Sequence, residues 1–168
     1  MKKPTTPKIV TAKEFKKKYA ARTNTRGKVS KKPSESVEQG YLIEWVKRNY
    51  PDACFTVDLA GLNLSVRQRA IYAQRKRGHP DLMFQVWHKD TYCGLAIEFK
   101  KTGINVPKMC LTDEHFKEQL DYLYSLRNVQ WLAVFVAGID NAKRVIAAYM
   151  EANESSIETI KKYSYPNF

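Results

Sequence analysis

Two carboxylates and a lysine stand at the two ends of one candidate β-hairpin. Asp81 follows Gly78-His79-Pro80 and opens the apolar run Leu82-Met83-Phe84-Gln85-Val86-Trp87. Glu98-Phe99-Lys100, beginning 17 residues after Asp81, closes the run Tyr92-Cys93-Gly94-Leu95-Ala96-Ile97. The runs read as strands joined by the polar turn His88-Lys89-Asp90-Thr91. Side chains alternate along a strand, so Glu98 and Lys100 leave the same face. A hairpin of this length folds Asp81 back beside Glu98. Two carboxylates and an ammonium at one spot are what metal-assisted phosphodiester cleavage needs.

The residue types follow from that chemistry. Mg²⁺ takes hard oxygen ligands and is usually held by one or two carboxylates while it keeps several waters. The same holds broadly for Mn²⁺, which also prefers oxygen donors. Such an ion lowers the pKa of a bound water and offsets charge on the phosphate, and a lysine beside it stabilises the negative charge that develops. Glu-x-Lys alone says little in a chain with 27% charged residues. The Gly-x-Pro-Asp-Leu turn at hairpin spacing supplies the confirming context. The competing reading is a surface hairpin with a solvated Glu98–Lys100 pair.

Helices must bring further groups to this spot. From Ser34 to Asn49, Val37, Tyr41, Leu42, Trp45 and Val46 form one apolar stripe at helical spacing. At about 100° per residue Glu38 falls near the middle of the stripe, with Glu44 and Lys47 towards or beyond its edges. A carboxylate there is costly unless something pairs with it. A metal is the expected partner, and a local hydrogen bond is the alternative. Glu35 lies nearer the edge and reads instead as a first-turn residue favoured by the helix dipole. Thr112-Asp113-Glu114 opens a second helix, with Thr112 or Asp113 as its N-cap. Phe116, Leu120, Leu123, Tyr124 and Leu126 mark its core face, and Gln119 points inward among them. Its amide can donate to a carboxylate ligand, or it is a core glutamine satisfied by backbone. His115 sits at the edge and reads as a surface residue.

With these residues in view, the chain resembles the VRR-NUC nucleases of the PD-(D/E)XK superfamily, in particular the small stand-alone phage and bacterial type. The resemblance covers about residues 35 to 150. It rests on Gly78-His79-Pro80-Asp81-Leu82, Gly94-Leu95-Ala96-Ile97-Glu98-Phe99-Lys100, Glu118-Gln119-Leu120 and Val134-Phe135-Val136-Ala137-Gly138, followed by Ala142 and Ile146-Ala147-Ala148-Tyr149. It implies a Mg²⁺- or Mn²⁺-dependent nuclease with Asp81, Glu98 and Lys100 in the active site and the Phe99 carbonyl as a further metal ligand. A glutamate from the first helix and a glutamine from the helix after the hairpin are implied too, here matched to Glu38 and Gln119. Residues 61–78, with Asn63, Ser65 and Arg67, look like the loop-and-helix insert of phage members. The resemblance also implies a homodimer that resolves four-way (Holliday) junctions. A monomer that trims flaps or splayed ends stays open, because the insert could block dimerisation. The basic N-terminal arm departs from the family core.

That arm carries nearly all the net charge. Residues 1–32 hold 12 of the 29 Lys and Arg and one of the 17 acids, for +11. The remaining 136 residues hold 17 basic and 16 acidic side chains, for +1. With Pro4, Pro7 and few apolar residues the arm reads as disordered, with a short basic helix open to Thr11–Tyr19. It suits phosphate binding through counterion release, and a solubilising tail or an anionic-membrane segment are the competing readings. A second cluster, Arg67, Arg69, Arg75, Lys76 and Arg77, precedes the Asp81 turn, and Lys101 follows Lys100. These could guide a nucleic-acid strand to the site.

At 168 residues and 43% hydrophobic, the chain fits a single folded domain over 33–168 behind the arm. Cys54, Cys93 and Cys110 have no paired spacing and argue for a reducing compartment. His79, His88 and His115 make no zinc-ligand cluster. No apolar run approaches a membrane span and no signal segment opens the chain, so the expected place is the cytoplasm of a bacterial cell or phage-infected host. The elements expected are a helix at 35–49, a strand near 53–59, a short helix near 65–76 and the hairpin 81–100. A loop through Pro107, a helix at 113–127, a strand at 131–137, a helix at 140–151 and a turn or short helix from Ser155 follow. A mixed α/β sheet with helices on both faces is the expected architecture, of the restriction-endonuclease-like class. Two function classes are carried forward: a DNA endonuclease, and a non-catalytic nucleic-acid-binding module. Clustered acids favour the first, since without a metal they would repel phosphate.

Overall fold

The computed structural model of the chain describes residues 33–58, 78–88, 91–153 and 155–166. The basic arm, the short helix expected near 65–76, the cluster Arg67, Arg69, Arg75, Lys76 and Arg77, and Phe168 lie outside the described residues. Within them the order is α1 (Glu35–Asn49), β1 (Phe55–Val57), β2 (Leu82–Phe84), β3 (Gly94–Lys100), α2 (Val106–Thr112), α3 (Glu114–Arg127), β4 (Trp131–Ala137), α4 (Ile139–Glu151) and α5 (Ser156–Tyr163). The four strands form one mixed sheet in the order β1-β2-β3-β4. β1–β2 and β2–β3 are antiparallel, and β3–β4 is parallel.

Alternation along the strands separates two apolar layers. Leu82, Phe84, Leu95, Ile97, Phe99, Leu132, Val134 and Val136 face Leu42 and Val46 of α1, Val145 and Ile146 of α4, and Ile160 of α5. Ala96, Ala133 and Phe135 face the other way, against Val106 and Cys110 of α2 and Leu123 of α3. Every residue of β3 is buried, as a strand covered on both faces requires. Glu98 and Lys100 share the parity of Ala96, so they point into the α2–α3 side.

Three elements differ from the sequence reading. β2 ends at Phe84 rather than Trp87. Phe84 pairs with Leu95, but the next bridge joins His88 to Tyr92. The β2 side therefore carries one residue more than its partner, and the ladder breaks around this bulge. Trp87 is left 66% exposed. The Tyr149 hydroxyl ties the irregular stretch down by donating to the Val86 carbonyl at 2.6 Å. Gly94 restarts the strand where a Cβ would come within 2.5 Å of the Trp131 ring.

The expected loop through Pro107 is helix α2. Asn105 caps it by accepting from the Lys108 N–H at 3.1 Å, and Pro107 sits in its first turn, where a missing N–H does no harm. On α1 the buried line is Glu38, Leu42 and Val46, whereas Val37 and Tyr41 are 44% and 64% exposed. The helix covers the sheet along one line of four-residue spacing, narrower than the apolar stripe.

Asp113 caps α3 by accepting from the Phe116 N–H. After α5, Tyr165 exchanges two backbone hydrogen bonds with Phe135 of β4. The Arg127 guanidinium anchors this tail by donating to the carbonyls of Ala133 and Pro166. Among the described residues no helix is long and apolar enough to cross a membrane.

Candidate active site

Register brings Asp81 to Glu98. Leu82 pairs with Ile97, so the preceding residue of β2 and the following residue of β3 face each other. Asp81 Oδ2 accepts the Phe99 N–H at 2.8 Å, and Oδ1 accepts from the Gln39 side-chain amide at 3.3 Å. Lys100 Nζ donates to Glu98 Oε1 at 2.8 Å, and the Gln119 amide donates to the same oxygen. The Lys100 ammonium also lies 5.0 Å from the centre of the Phe116 ring, a cation–π contact. The turn before Asp81 is pressed onto α3 beside Gln119. Gly78 has φ +82°, and a Cβ there would lie 2.8 Å from the Glu118 carbonyl oxygen. Only glycine fits that approach.

Glu98, Lys100 and Gln119 are 2%, 6% and 5% exposed, so this is charge held almost out of water. Burial pushes the Asp81 carboxyl up to about 6, with Lys100 and the Phe99 N–H opposing and the charges of Glu35 and Asp58 adding to the rise. Glu98 is pushed well above the usual carboxylate range, first by burial and then by the charge of Asp81, against the pull of Lys100. Glu98 Oε2 and Gln119 Oε1 are buried and find no hydrogen-bond partner among the described residues. Buried oxygens of this kind are costly unless something pairs with them. The set is hard oxygen donors with an excess of negative charge, which fits a divalent cation. No three His, Cys, Asp or Glu side chains converge closely enough among the described residues to enclose an ion alone. Mg²⁺ does not require three, since waters complete its shell.

Glu35 and Glu38 of α1 have different partners. Glu38, 6% exposed, accepts from the Thr102 N–H at 3.1 Å and the Thr102 hydroxyl at 3.2 Å. Its burial is thus offset by protein groups. Glu35 accepts the Lys101 N–H at 3.1 Å, and its charge acts on both Asp81 and Glu98. A strand residue sends its N–H and C=O to the same edge. The Phe99 N–H meets Asp81, so the Phe99 carbonyl faces that edge as well. The Lys100 carbonyl goes to the opposite side, where it accepts the Gly138 N–H. The Lys101 side chain is exposed beyond the strand.

Four residues at this place were not singled out from sequence: Gln39, Thr102, Asp58 and His79. Asp58 follows β1, its N–H donating to the Asp81 carbonyl at 2.8 Å. It is 7% exposed, and its Oδ2 lies 3.3 Å from His79 Nδ1. Register and parity therefore align Asp58, Asp81 and Glu98 across three neighbouring strands on one face. The signal for Asp58 was an acid directly after an apolar strand. Gln39 had no such signal, being one polar residue among several on α1.

No family model matches the chain, and no curated protein matches it. Among solved structures, that of a VRR_NUC domain protein is similar at 23% identity, with a TM-score of 0.55, over 73% of this chain and 93% of that one. The α/β mixed sheet flanked by helices is thus the restriction-endonuclease-like fold, shared with that protein.

Proposed function

We propose that this chain is a nuclease that hydrolyses phosphodiester bonds in DNA with the help of Mg²⁺ or Mn²⁺. The observation that carries the proposal is half-buried Asp81 set across from buried Glu98, with Glu98 Oε2 left unpartnered beside Lys100. The fold it shares with a VRR_NUC domain protein supports the same reading. Asp81, Glu98 and the Phe99 carbonyl would hold the ion. Glu35 is better disposed than Glu38 to join them, because its charge already bears on both acids. A bound divalent cation supplies charge stabilisation at the phosphate and activation of a water.

The chain's own residues do the rest. Lys100 and Gln119 occupy Glu98 Oε1, so that Oε2 would be available to hold a cation. The Lys100 ammonium is held by Glu98 and the Phe116 ring, ready to face a phosphate oxygen without reorganising. Gln39 and the Phe99 N–H hold the Asp81 carboxylate in one orientation.

The finer part of the proposal is an endonuclease of structured or branched DNA acting as a homodimer in the cytoplasm, with a four-way junction as the leading substrate. The basic arm and the 67–77 cluster would supply phosphate contacts. A panel of duplex, single-stranded, flap, splayed and four-way DNA with Mg²⁺, Mn²⁺ or EDTA tests both levels. Metal-dependent cleavage lost in Asp81→Asn supports the nuclease. Binding with no cleavage under any condition leaves the non-catalytic module. Light scattering with and without a junction tests the dimer, and a monomer in both promotes the flap or splayed-end substrate.

A further inference from the structure

We infer that Asp58 and His79 form a positioning pair that fixes the Asp81 turn through the His79 Nδ1–H, without touching the substrate. His79 Nδ1 lies 3.0 Å from the Pro80 carbonyl oxygen and 3.3 Å from Asp58 Oδ2. A carbonyl oxygen can only accept, so Nδ1 carries the hydrogen and donates it towards both groups. The ring is also packed edge-on against Tyr122 of α3, with centroids 5.7 Å apart. Asp58 in turn is bound to the same turn by its backbone, donating to the Asp81 carbonyl at 2.8 Å.

Three parts of the fold meet in this arrangement. Asp58 ends the β1 side, His79 and Pro80 lead into Asp81, and Tyr122 lies one helical turn beyond Gln119 on α3. A displaced His79 would therefore move Asp81 relative to Glu98 and Gln119. The pair also gives the first acid of the Asp58–Asp81–Glu98 row a donor of its own, as Lys100 does for the last. Like charges directly across strands are destabilising, and each acid of the row is met by a donor, Asp81 by the Phe99 N–H and the Gln39 amide.

The inference rests on the metal-dependent reading above and is tested apart from it. A long-range ¹H–¹⁵N spectrum of the metal-free, full-length protein should show the His79 hydrogen on Nδ1. A ring with bare Nδ1 and its hydrogen on Nε2 overturns the pair. His79→Asn keeps an N–H near the Nδ1 position, whereas His79→Gln offers one nearer Nε2. His79→Asn should bind Mn²⁺ and cleave close to the unmodified chain. His79→Gln and Asp58→Ala should weaken Mn²⁺ binding in calorimetry by about 10-fold or more, and lower kcat with the KM for DNA unchanged. Unchanged Mn²⁺ affinity in either of these two variants overturns the inference. So does the reverse pattern, His79→Asn impaired with a raised KM, which would mean that Nε2 contacts DNA. Asp81→Asn serves as the control: if it cleaves normally the nuclease reading fails, and if it is inactive while His79→Gln is normal only the positioning pair falls.

Discussion

The two faces of the central sheet are equally dry and differently built. On one, Leu95, Ile97 and Phe99 of β3 meet a mostly apolar layer from α1, α4 and α5. On the other, Ala96 is followed by Glu98 and Lys100, buried to a similar degree but charged. The first face gains from burial. The second gives up part of that gain, since desolvating a carboxylate is unfavourable even beside an ammonium. One strand thus supplies stability on one side and holds strained electrostatics on the other.

The difference can be broken from either side. Phe84 is fully buried on the apolar face and stacks on Phe55. Phe84→Ala should cost about 3–5 kcal/mol by urea denaturation, with little loss of cleavage per folded molecule. Asp81→Asn or Glu98→Gln should act the other way. Each should lower DNA cleavage by about 10²–10³-fold. Asp81→Asn should leave the metal-free protein as stable as the unmodified chain at neutral pH, or more stable. Glu98→Gln leaves the buried Lys100 ammonium without its carboxylate and should lower stability. A large loss of melting temperature in Asp81→Asn would contradict the contrast between the faces.

Protonation sharpens the same point. Asp81 is raised to about 6, above its ordinary value of about 3.9 in an unfolded chain. Between those values the folded state binds the extra proton, so stability from this group falls as pH rises. The metal-free melting temperature should therefore decline from about pH 4 to about pH 6 on account of Asp81, with Glu98 extending the decline upwards. Added Mn²⁺ should raise it at pH 7.5, by binding the folded state, and raise it much less at pH 5, where Asp81 holds its proton. Smallest of all, Tyr149→Phe removes the donor to the Val86 carbonyl and should cost about 1 kcal/mol. It should leave cleavage unchanged, because the bulge lies at the far end of the hairpin from Asp81.

What could be read from the chain depended on how local the cause was. The meeting of Asp81 with Glu98 follows from a period of two and the length of one hairpin, so the sequence carried it. Trp131–Ala137 was equally legible, as an unbroken apolar run. The bulge after Phe84 was not, because Gln85-Val86-Trp87 suits a strand and pairing is lost only against a partner one residue shorter. Helix α2 was legible in principle, from Asn105 as cap and Pro107 in the first turn, but its short span hid among loop-like residues.

The case of Glu35 and Glu38 marks the boundary. Periodicity placed Glu38 on the buried line of α1, and it is buried there. Periodicity says which way a side chain points and nothing of what stands opposite. Thr102 stands opposite Glu38, while the end of β3 and Asp81 stand near Glu35 and Gln39. Asp58 and His79, 21 residues apart, meet for the same reason. The sequence by itself determined the alternating faces, the hairpin that joins two acids and a lysine, and the basic charge of the arm, since each depends on neighbours along the chain. Only the tertiary structure decided which glutamate, glutamine and histidine surround those acids, because packing sets contacts between segments that no local period relates.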